Sequence, residues 1–305
     1  MMGWSFYILL LTYSQMFLKW STSGDGEFCN NPSAKAQLNL MTDSAAFYFR
    51  RDDNAAIKCL EKELEKDPVF KSTWEKAVSY WRAKNLPAPK GLRVEHMIAV
   101  TAYTMPDELH KPLNFGLEKY GDIDTYNSHF KLKSFHYLLT IALINLRKGS
   151  RHLTVYRGEK IPLSGRKDTE MRFGRFASTS HNQKVAEEFG KATFFVITTS
   201  YGVTIRDYSV NPSQEEVLIP PYEKFKITKF TRLQGGGCNF TLQPTGSKRV
   251  KVMLQEDCTL TLQNNGISSL HEDCTLIVYH WKMPWPSRFV FIEAIVSLLV
   301  IGGVL

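Results

Sequence analysis

Residues 135–156 read Phe-His-Tyr-Leu-Leu-Thr-Ile-Ala-Leu-Ile-Asn-Leu-Arg-Lys-Gly-Ser-Arg-His-Leu-Thr-Val-Tyr, and the hydrophobic texture changes within them. Up to Leu146 the apolar residues Phe135, Leu138, Leu139, Ala142, Leu143 and Leu146 recur at the three- and four-residue spacing of one helix face. From Leu153 the chain turns to short β-branched and aromatic runs. The helical spacing extends back to about Asp52, with Val69, Phe70, Trp74, Val78 and Trp81, and Pro87, Pro89, Pro106, Gly91 and Gly121 mark connections between helices. Forward of the switch, strands are predicted over Leu153 to Tyr156, Thr193 to Thr199, Glu216 to Ile219 and Phe225 to Phe230, separated by Gly, Pro, Ser and Asn. A helical half followed by a strand half predicts an α+β architecture, because a parallel doubly wound sheet needs alternating strands and helices.

With 43% hydrophobic and 22% charged residues in 305, the chain is a folding globular protein rather than a disordered one, and it is long enough to bury a sizeable core. Lys and Arg number 38 against 30 Asp and Glu, a net +8 that favours anions without naming a partner. Lys224, Lys226, Lys229, Arg232, Lys248, Arg249 and Lys251 face the single acid Glu223 between residues 223 and 251. Because Lys224 and Lys226 alternate with Phe225 and Ile227, the run reads as a solvated strand face and not as a nucleic-acid groove. No Gly-Lys-Ser/Thr phosphate loop, Gly-x-Gly-x-x-Gly, Gly-x-Ser-x-Gly or His-Glu-x-x-His is present.

Both ends carry processing signals. Residues 4–18 are apolar but short for a membrane span and precede Ser21-Thr22-Ser23-Gly24, so residues 1–23 are read as a signal peptide, although a basic start is missing. Phe289 to Leu305 is apolar apart from Glu293, and residues 264–305 are read as a tail with a glycolipid-anchor signal. A secretory route makes pairing the expected state of Cys29, Cys59, Cys238, Cys258 and Cys274, and none of them has the close spacing of a zinc site. Attachment near Asn264 would remove Cys274 and leave four cysteines, which allow three connectivities. Asn239-Phe240-Thr241 is a glycosylation sequon. The repeated Glu-Asp-Cys-Thr-Leu at residues 256–260 and 272–276 is two copies, too few for a solenoid.

Three segments remain: Val155-Tyr156-Arg157-Gly158, then Phe173-Gly174-Arg175-Phe176-Ala177-Ser178-Thr179-Ser180, then Gln214-Glu215-Glu216-Val217-Leu218-Ile219-Pro220-Pro221. In order and company they resemble the Arg, Ser-Thr-Ser, Glu-x-Glu triad of the vertebrate ecto-mono-ADP-ribosyltransferases. The resemblance runs from about Asp52, through Val100 to Thr104 and Phe130 to Thr140, to at least Phe230, and the processed ends fit it.

The resemblance implies a helical N-terminal part, residues 24–148, packed on a split β-sandwich core, residues 149–263, that holds NAD in its cleft. It implies an extracellular enzyme, glycolipid-anchored on the cell surface or secreted, that moves ADP-ribose from NAD, with NADP as a second donor, to arginine-bearing extracellular or cell-surface proteins. No metal and no nucleic acid enter. Breaking the nicotinamide–ribose bond develops positive charge on the ribose, and a fixed carboxylate beside it lowers the barrier. Glu216 matches the family's catalytic glutamate, Arg157 its NAD-binding arginine, whose planar fork pairs with phosphate oxygens, and Ser178 the residue that orients Glu216. By the same resemblance Gly158 admits the backbone to the nicotinamide amide, Tyr103, Arg175 and Ser209 line the NAD site, and Phe189 stacks on nicotinamide.

Gln214 departs from the pattern, in which arginine transferases carry Glu. A neutral amide can accept a hydrogen bond from a guanidinium but can neither neutralise it nor take its proton. Neighbouring Glu215 would point the opposite way on an extended segment. The departure keeps two alternatives open, an NAD glycohydrolase with weak or non-arginine transfer, and a cell-surface binding protein without turnover; the intact Arg157, Ser178 and Glu216 speak against the latter. Finally, the resemblance implies a disulfide from the start of the domain to its end, which Cys59 and Cys258 suit. A Cys29–Cys238 bridge stays open.

Overall fold

The helical period before residue 148 becomes six helices: α1 (Asp53–Lys66), α2 (Pro68–Lys84), α3 (Val94–Tyr103), α4 (His110–Lys119), α5 (Ile123–His129) and α6 (Lys133–Leu146). Their ends follow from local chemistry. The Asp52 carboxylate accepts from Ala55 N to open α1, and Asp67 accepts from Val69 N and Phe70 N, with Pro68 in the first turn, to open α2. Helix α2 stops where Asn85 enters the left-handed region at φ 48°. Helix α6 has no cap of its own, and Glu63 of α1 supplies one by accepting from Lys133 N (2.8 Å), Ser134 N (3.0 Å) and the Ser134 hydroxyl. Burial pushes the Glu63 carboxyl up to about 7 against the pull of these donors.

The computed structural model describes residues 28–29, 36–38, 43–147, 149, 152–233 and 237–263, all within a unit spanning residues 1–264. The expected signal peptide, the tail from residue 264 with its anchor signal, Cys274 and the second Glu-Asp-Cys-Thr-Leu lie outside the described residues. Among the described residues no helix is long and apolar enough to cross a membrane.

The strands are β1 (Phe28–Cys29), β2 (Ala36–Gln37), β3 (Phe47–Phe49), β4 (Leu153–Glu159), β5 (Leu163–Arg166), β6 (Glu170–Met171), β7 (Ala177–Ser180), β8 (Thr193–Thr199), β9 (Val203–Thr204), β10 (Glu216–Ile219), β11 (Glu223–Arg232), β12 (Cys238–Ser247), β13 (Val250–Leu254) and β14 (Leu260–Leu262), with a seventh helix, α7 (Gln183–Phe189), before β8. Eight strands form one sheet in the order β6-β11-β12-β8-β4-β7-β10-β9, and two three-stranded sheets have the orders β1-β5-β2 and β14-β13-β3. The α+β expectation holds. Strands β8 and β10 have the predicted bounds, while β4 and β11 run past them.

Two features depart from the periodic reading. Strand β3 precedes the helices and pairs in parallel with β13, so the segment leading into the first helix joins the strand pair near residue 254 in one small sheet. Val69, placed on the helical apolar face, is 68% exposed, whereas Phe70, Trp74 and Trp81 are buried. On β11, Phe225 and Ile227 are buried while Lys224 and Lys226 pair with Glu170 (2.9 Å) and Asp168 (3.0 Å), as a charged strand face does. Cys59 is bridged to Cys258, as the resemblance implies, and Cys29 to Cys238, the pair left open.

One apolar core gathers the helices with Phe47, Phe49, Phe176, Val203 and Leu218, and a second lies among β4, β8, β10, β11 and β12. Strand β10 serves both, because Leu218 belongs to the helical core and Val217 and Ile219 to the other. The alternation places Glu216 on the Leu218 side, toward the helices.

Candidate active site

The sheet order sets β4, β7 and β10 side by side, so residues 59 positions apart in sequence meet across three adjacent strands: Arg157 from β4, Ser178 from β7 and Glu216 from β10. In the antiparallel register Glu216 faces Ser180 and Leu218 faces Ser178, which makes Ser178 the diagonal neighbour of Glu216 on the same face. The Ser178 hydroxyl is near enough to the Glu216 carboxylate to hold its pKa down. Glu216 is 6% exposed, and burial raises its pKa above the ordinary value while the Ser178 hydrogen bond and the Arg157 charge pull it down.

Arg157 is held on two sides. Its Nε donates to Glu159 Oε1 at 2.9 Å, Nη2 donates to the same oxygen, and Nη1 donates to the Ser178 carbonyl. Within Ser-Thr-Ser only Ser178 is partly open. Thr179 Oγ1 donates to Val217 O (2.7 Å) and Ser180 Oγ to Gln214 O (2.7 Å), tying β7 to β10 and to the turn before it.

Tyr103 stands behind Ser178. Its hydroxyl lies 3.4 Å from Ser178 Oγ and 3.3 Å from Phe176 O, and burial, followed by the Glu216 charge, raises its pKa. The side-chain amide of Asn114 fixes this corner: Oδ1 accepts from Phe176 N (3.1 Å), and Nδ2 donates to Phe176 O (3.2 Å) and Tyr103 Oη (3.3 Å). Asn114 thereby treats Phe176 as a strand neighbour would, anchoring the entry to β7.

The other expected residues are placed unevenly. Arg175 joins the group through Glu159 (3.5 Å) and Glu118 (3.4 Å). Phe189 ends α7 with 52% of its surface exposed. At Gly158 a Cβ would lie 2.2 Å from Ala186 O and 2.3 Å from Gly190 O, so its bare Cα lets α7 close on β4. Ser209 is fully buried, its Oγ accepting from Asn211 N and its carbonyl from Tyr80 Oη (3.2 Å) and Lys84 Nζ (3.4 Å), which makes it a support of the turn rather than an open lining residue. Asn239 sits in β12 between two hydrogen-bonded neighbours with Oδ1 buried and unpartnered, a setting unlike the exposed loop a glycan requires.

Gln214 closes a 3-10 turn, Pro212–Gln214, and Glu215 adopts φ 45° and ψ 45°. The segment is therefore not extended at residue 215, contrary to the strand-like alternation expected there, and Glu215 Oε1 instead accepts from Asn182 Nδ2 at 3.5 Å. A cavity of about 640 Å³ is lined by Lys84, Leu86, Pro87, Arg206, Asp207, Tyr208 and Pro212, and by none of Arg157, Ser178 and Glu216. The one described cluster of metal-ligand type, Cys59, Glu63 and Cys258, has its sulfurs joined in the disulfide.

Sequence reasoning missed Asn114, Glu118 and Glu159. Glu159 was within reach, since it lies two residues after Arg157 on one strand face. Asn114 and Glu118 share a face of α4 four residues apart, but nothing local ties that face to β7.

Comparison with known proteins agrees with this layout. Residues 46–249 match the family model described as NAD:arginine ADP-ribosyltransferase. NAD(P)(+)-arginine ADP-ribosyltransferase 2 of Gallus gallus is 35% identical over 213 residues, 68% of this chain and 64% of that protein. GPI-linked NAD(P)(+)-arginine ADP-ribosyltransferase 1 of Homo sapiens is 35% identical over 204 residues, 60% of this chain and 62% of its own. The chain thus spans just under two thirds of the length of these two relatives. The crystal structure of the mono-ADP-ribosyltransferase ART2.2 superposes with a TM-score of 0.61 at 30% identity, covering 70% of this chain and 96% of that one. A mutant of ART2.2 solved in complex with NAD gives a TM-score of 0.59 at 29% identity over 70% and 95% of the two chains. A match over residues 46–249 of 305, joined to the same sheet and helix arrangement, means that the chain belongs to the NAD:arginine ADP-ribosyltransferase family.

Proposed function

We propose that the protein is a mono-ADP-ribosyltransferase that moves ADP-ribose from NAD to arginine side chains and releases nicotinamide. The observation that carries this reading is the buried Glu216 carboxylate, on one sheet face with Ser178 and beside Arg157. In the reaction the bond between the nicotinamide nitrogen and ribose C1′ breaks, its electron pair leaving with nicotinamide. A guanidino nitrogen bonds to C1′ and gives up a proton. Glu216 supplies the negative charge for the cationic ribose, Ser178 holds that carboxylate in place, and Arg157 offers N–H groups to phosphate. The residues fit such a substrate: an arginine fork, an adjacent buried carboxylate and the open ring of Phe189.

The NAD(P) in the names of relatives supports NADP as a second donor, and GPI-linked in one of them supports a glycolipid-anchored or secreted protein; arginine-bearing surface or extracellular proteins are its proposed acceptors. Residues 1–23 then serve as the export signal and residues 264–305 as the anchor tail. A second reading, NAD glycohydrolysis, is favoured by one feature, the neutral Gln214 beside Glu216.

Labelled NAD, incubated with the protein and a small guanidino acceptor, separates the readings. Transferase activity labels the acceptor and disappears in Glu216→Gln. Nicotinamide release with an unlabelled acceptor, corrected by Gln214→Glu, would establish the glycohydrolase instead.

A further inference from the structure

Arg157 and Glu159 lie on one face of β4, two residues apart, with Gly158 between them pressed against Ala186 O and Gly190 O. The backbone of Glu159 is pinned as well, its carbonyl accepting from Ala192 N at 3.0 Å. From this rigid base Glu159 Oε1 accepts from both Nε and Nη2 of Arg157, while Nη1 is taken by the Ser178 carbonyl. A guanidinium has five N–H groups, so three are committed to the protein and two, one on each terminal nitrogen, are left. Arg175 approaches the same Glu159 oxygen at 3.5 Å and is itself held by Glu118 at 3.4 Å. The second guanidinium steadies the carboxylate, so Glu159 and Arg157 do not swing together as a free pair on the surface would.

We infer that Glu159 is a positioning residue for NAD, holding the Arg157 guanidinium side-on so that its two uncommitted N–H groups are presented to a phosphate of the dinucleotide. The inference rests on Arg157 being the arginine that engages NAD, as proposed above. It gives the Arg-Gly-Glu run a division of labour: the first residue touches the substrate, the glycine admits α7, and the glutamate fixes the aim of the first. An exposed Arg–Glu pair would contribute little, but here both side chains are mostly buried, at 16% and 17% exposure, and the geometry is shared among several partners.

Steady-state nicotinamide release from NAD by the full chain, with variants at residues 159 and 157, tests the inference. Glu159→Ala raises KM about tenfold, the loss of the carboxylate that orients the guanidinium, with kcat within about twofold of the parent. Its thermal midpoint stays at the parent value, and Glu159→Gln, which keeps an acceptor without the charge, falls between. A KM for Glu159→Ala that is unchanged or lower overturns the inference, the latter showing that the carboxylate repels phosphate. A joint collapse of kcat and thermal midpoint in both variants also overturns it, because the residue is then structural. Arg157→Lys separates the two layers: if it too leaves KM unchanged, the assignment of Arg157 to NAD has failed, whereas a raised KM there with no effect at Glu159 sinks the positioning role alone.

Discussion

Ser178 and Glu216 are diagonal neighbours across the antiparallel β7–β10 pair, Ser178 facing Leu218 and Glu216 facing Ser180, and the serine hydroxyl holds down the pKa of the glutamate carboxyl. The strand pairing itself aims the carboxylate. No loop has to close to bring the two groups together, which is the preorganisation that electrostatic stabilisation of a developing cation needs.

Glu216→Gln should therefore reduce nicotinamide release by about 10²–10³-fold, the loss seen when one preorganised electrostatic group is removed. The same change should stabilise the fold at neutral pH. A carboxyl whose pKa is raised on folding makes the folded state hold its proton longer, so its contribution to stability is complete below the ordinary value of 4.5 and is lost as pH rises. Denaturant titration of the variant and parent at pH 5 and pH 8 checks this; the advantage of the variant grows with pH.

The pH profile of turnover carries the same signature. With Glu216 in its proposed role, activity requires the ionised carboxylate, and burial moves its pKa above 4.5. On acidification kcat/KM falls with a midpoint above that value. A midpoint at or below 4.5 in the folded range would mean that the Ser178 hydroxyl and the Arg157 charge outweigh burial.

Acid stability is set elsewhere, at His136. This ring is buried among Phe47, Phe49 and Phe176 and bonded to Tyr126 Oη at 2.8 Å, and burial holds its pKa down at about 3. A base depressed on folding binds fewer protons when folded, so stability is lost as pH falls from its ordinary 6.5 toward 3, by about 5 kcal/mol at most. His136→Phe should flatten that slope in acid-titrated unfolding while lowering stability at pH 7 through the lost Tyr126 bond.

Asn114→Ala removes the amide that satisfies Phe176 N and O and touches Tyr103 Oη. Leaving the Phe176 amide without its partner should destabilise by about 1–3 kcal/mol and lower kcat through the loosened entry to β7. Asn114→Asp, which keeps the acceptor for Phe176 N, should recover part of the stability. Equal losses in both would show that the amide donor matters more than the acceptor.

Much of this arrangement is legible in the chain. Thr193–Thr199 and Glu216–Ile219 are uninterrupted apolar or β-branched runs between turn residues, and they became strands with the bounds their composition indicates. Arg157, Ser178 and Glu216 were legible as a set through their neighbours in sequence. Strand β3 was not, because three residues carry no period and its partner β13 lies some 200 positions away. Asn114 stayed hidden because its side chain imitates backbone pairing with Phe176, a contact that exists only once α4 lies on β7. The closeness of Gly158 to α7 was equally hidden, because Ala186 and Gly190 lie about 30 positions further along the chain.

Nicotinamide release by the parent, Ser178→Ala, Glu216→Gln and the double variant forms a cycle that tests the account at its centre. If the serine acts by aiming the glutamate, Ser178→Ala slows release, Glu216→Gln slows it more, and the double variant is no slower than Glu216→Gln alone. Independent effects that multiply in the double variant, or a Glu216→Gln protein that still releases nicotinamide at the parental rate, would contradict it.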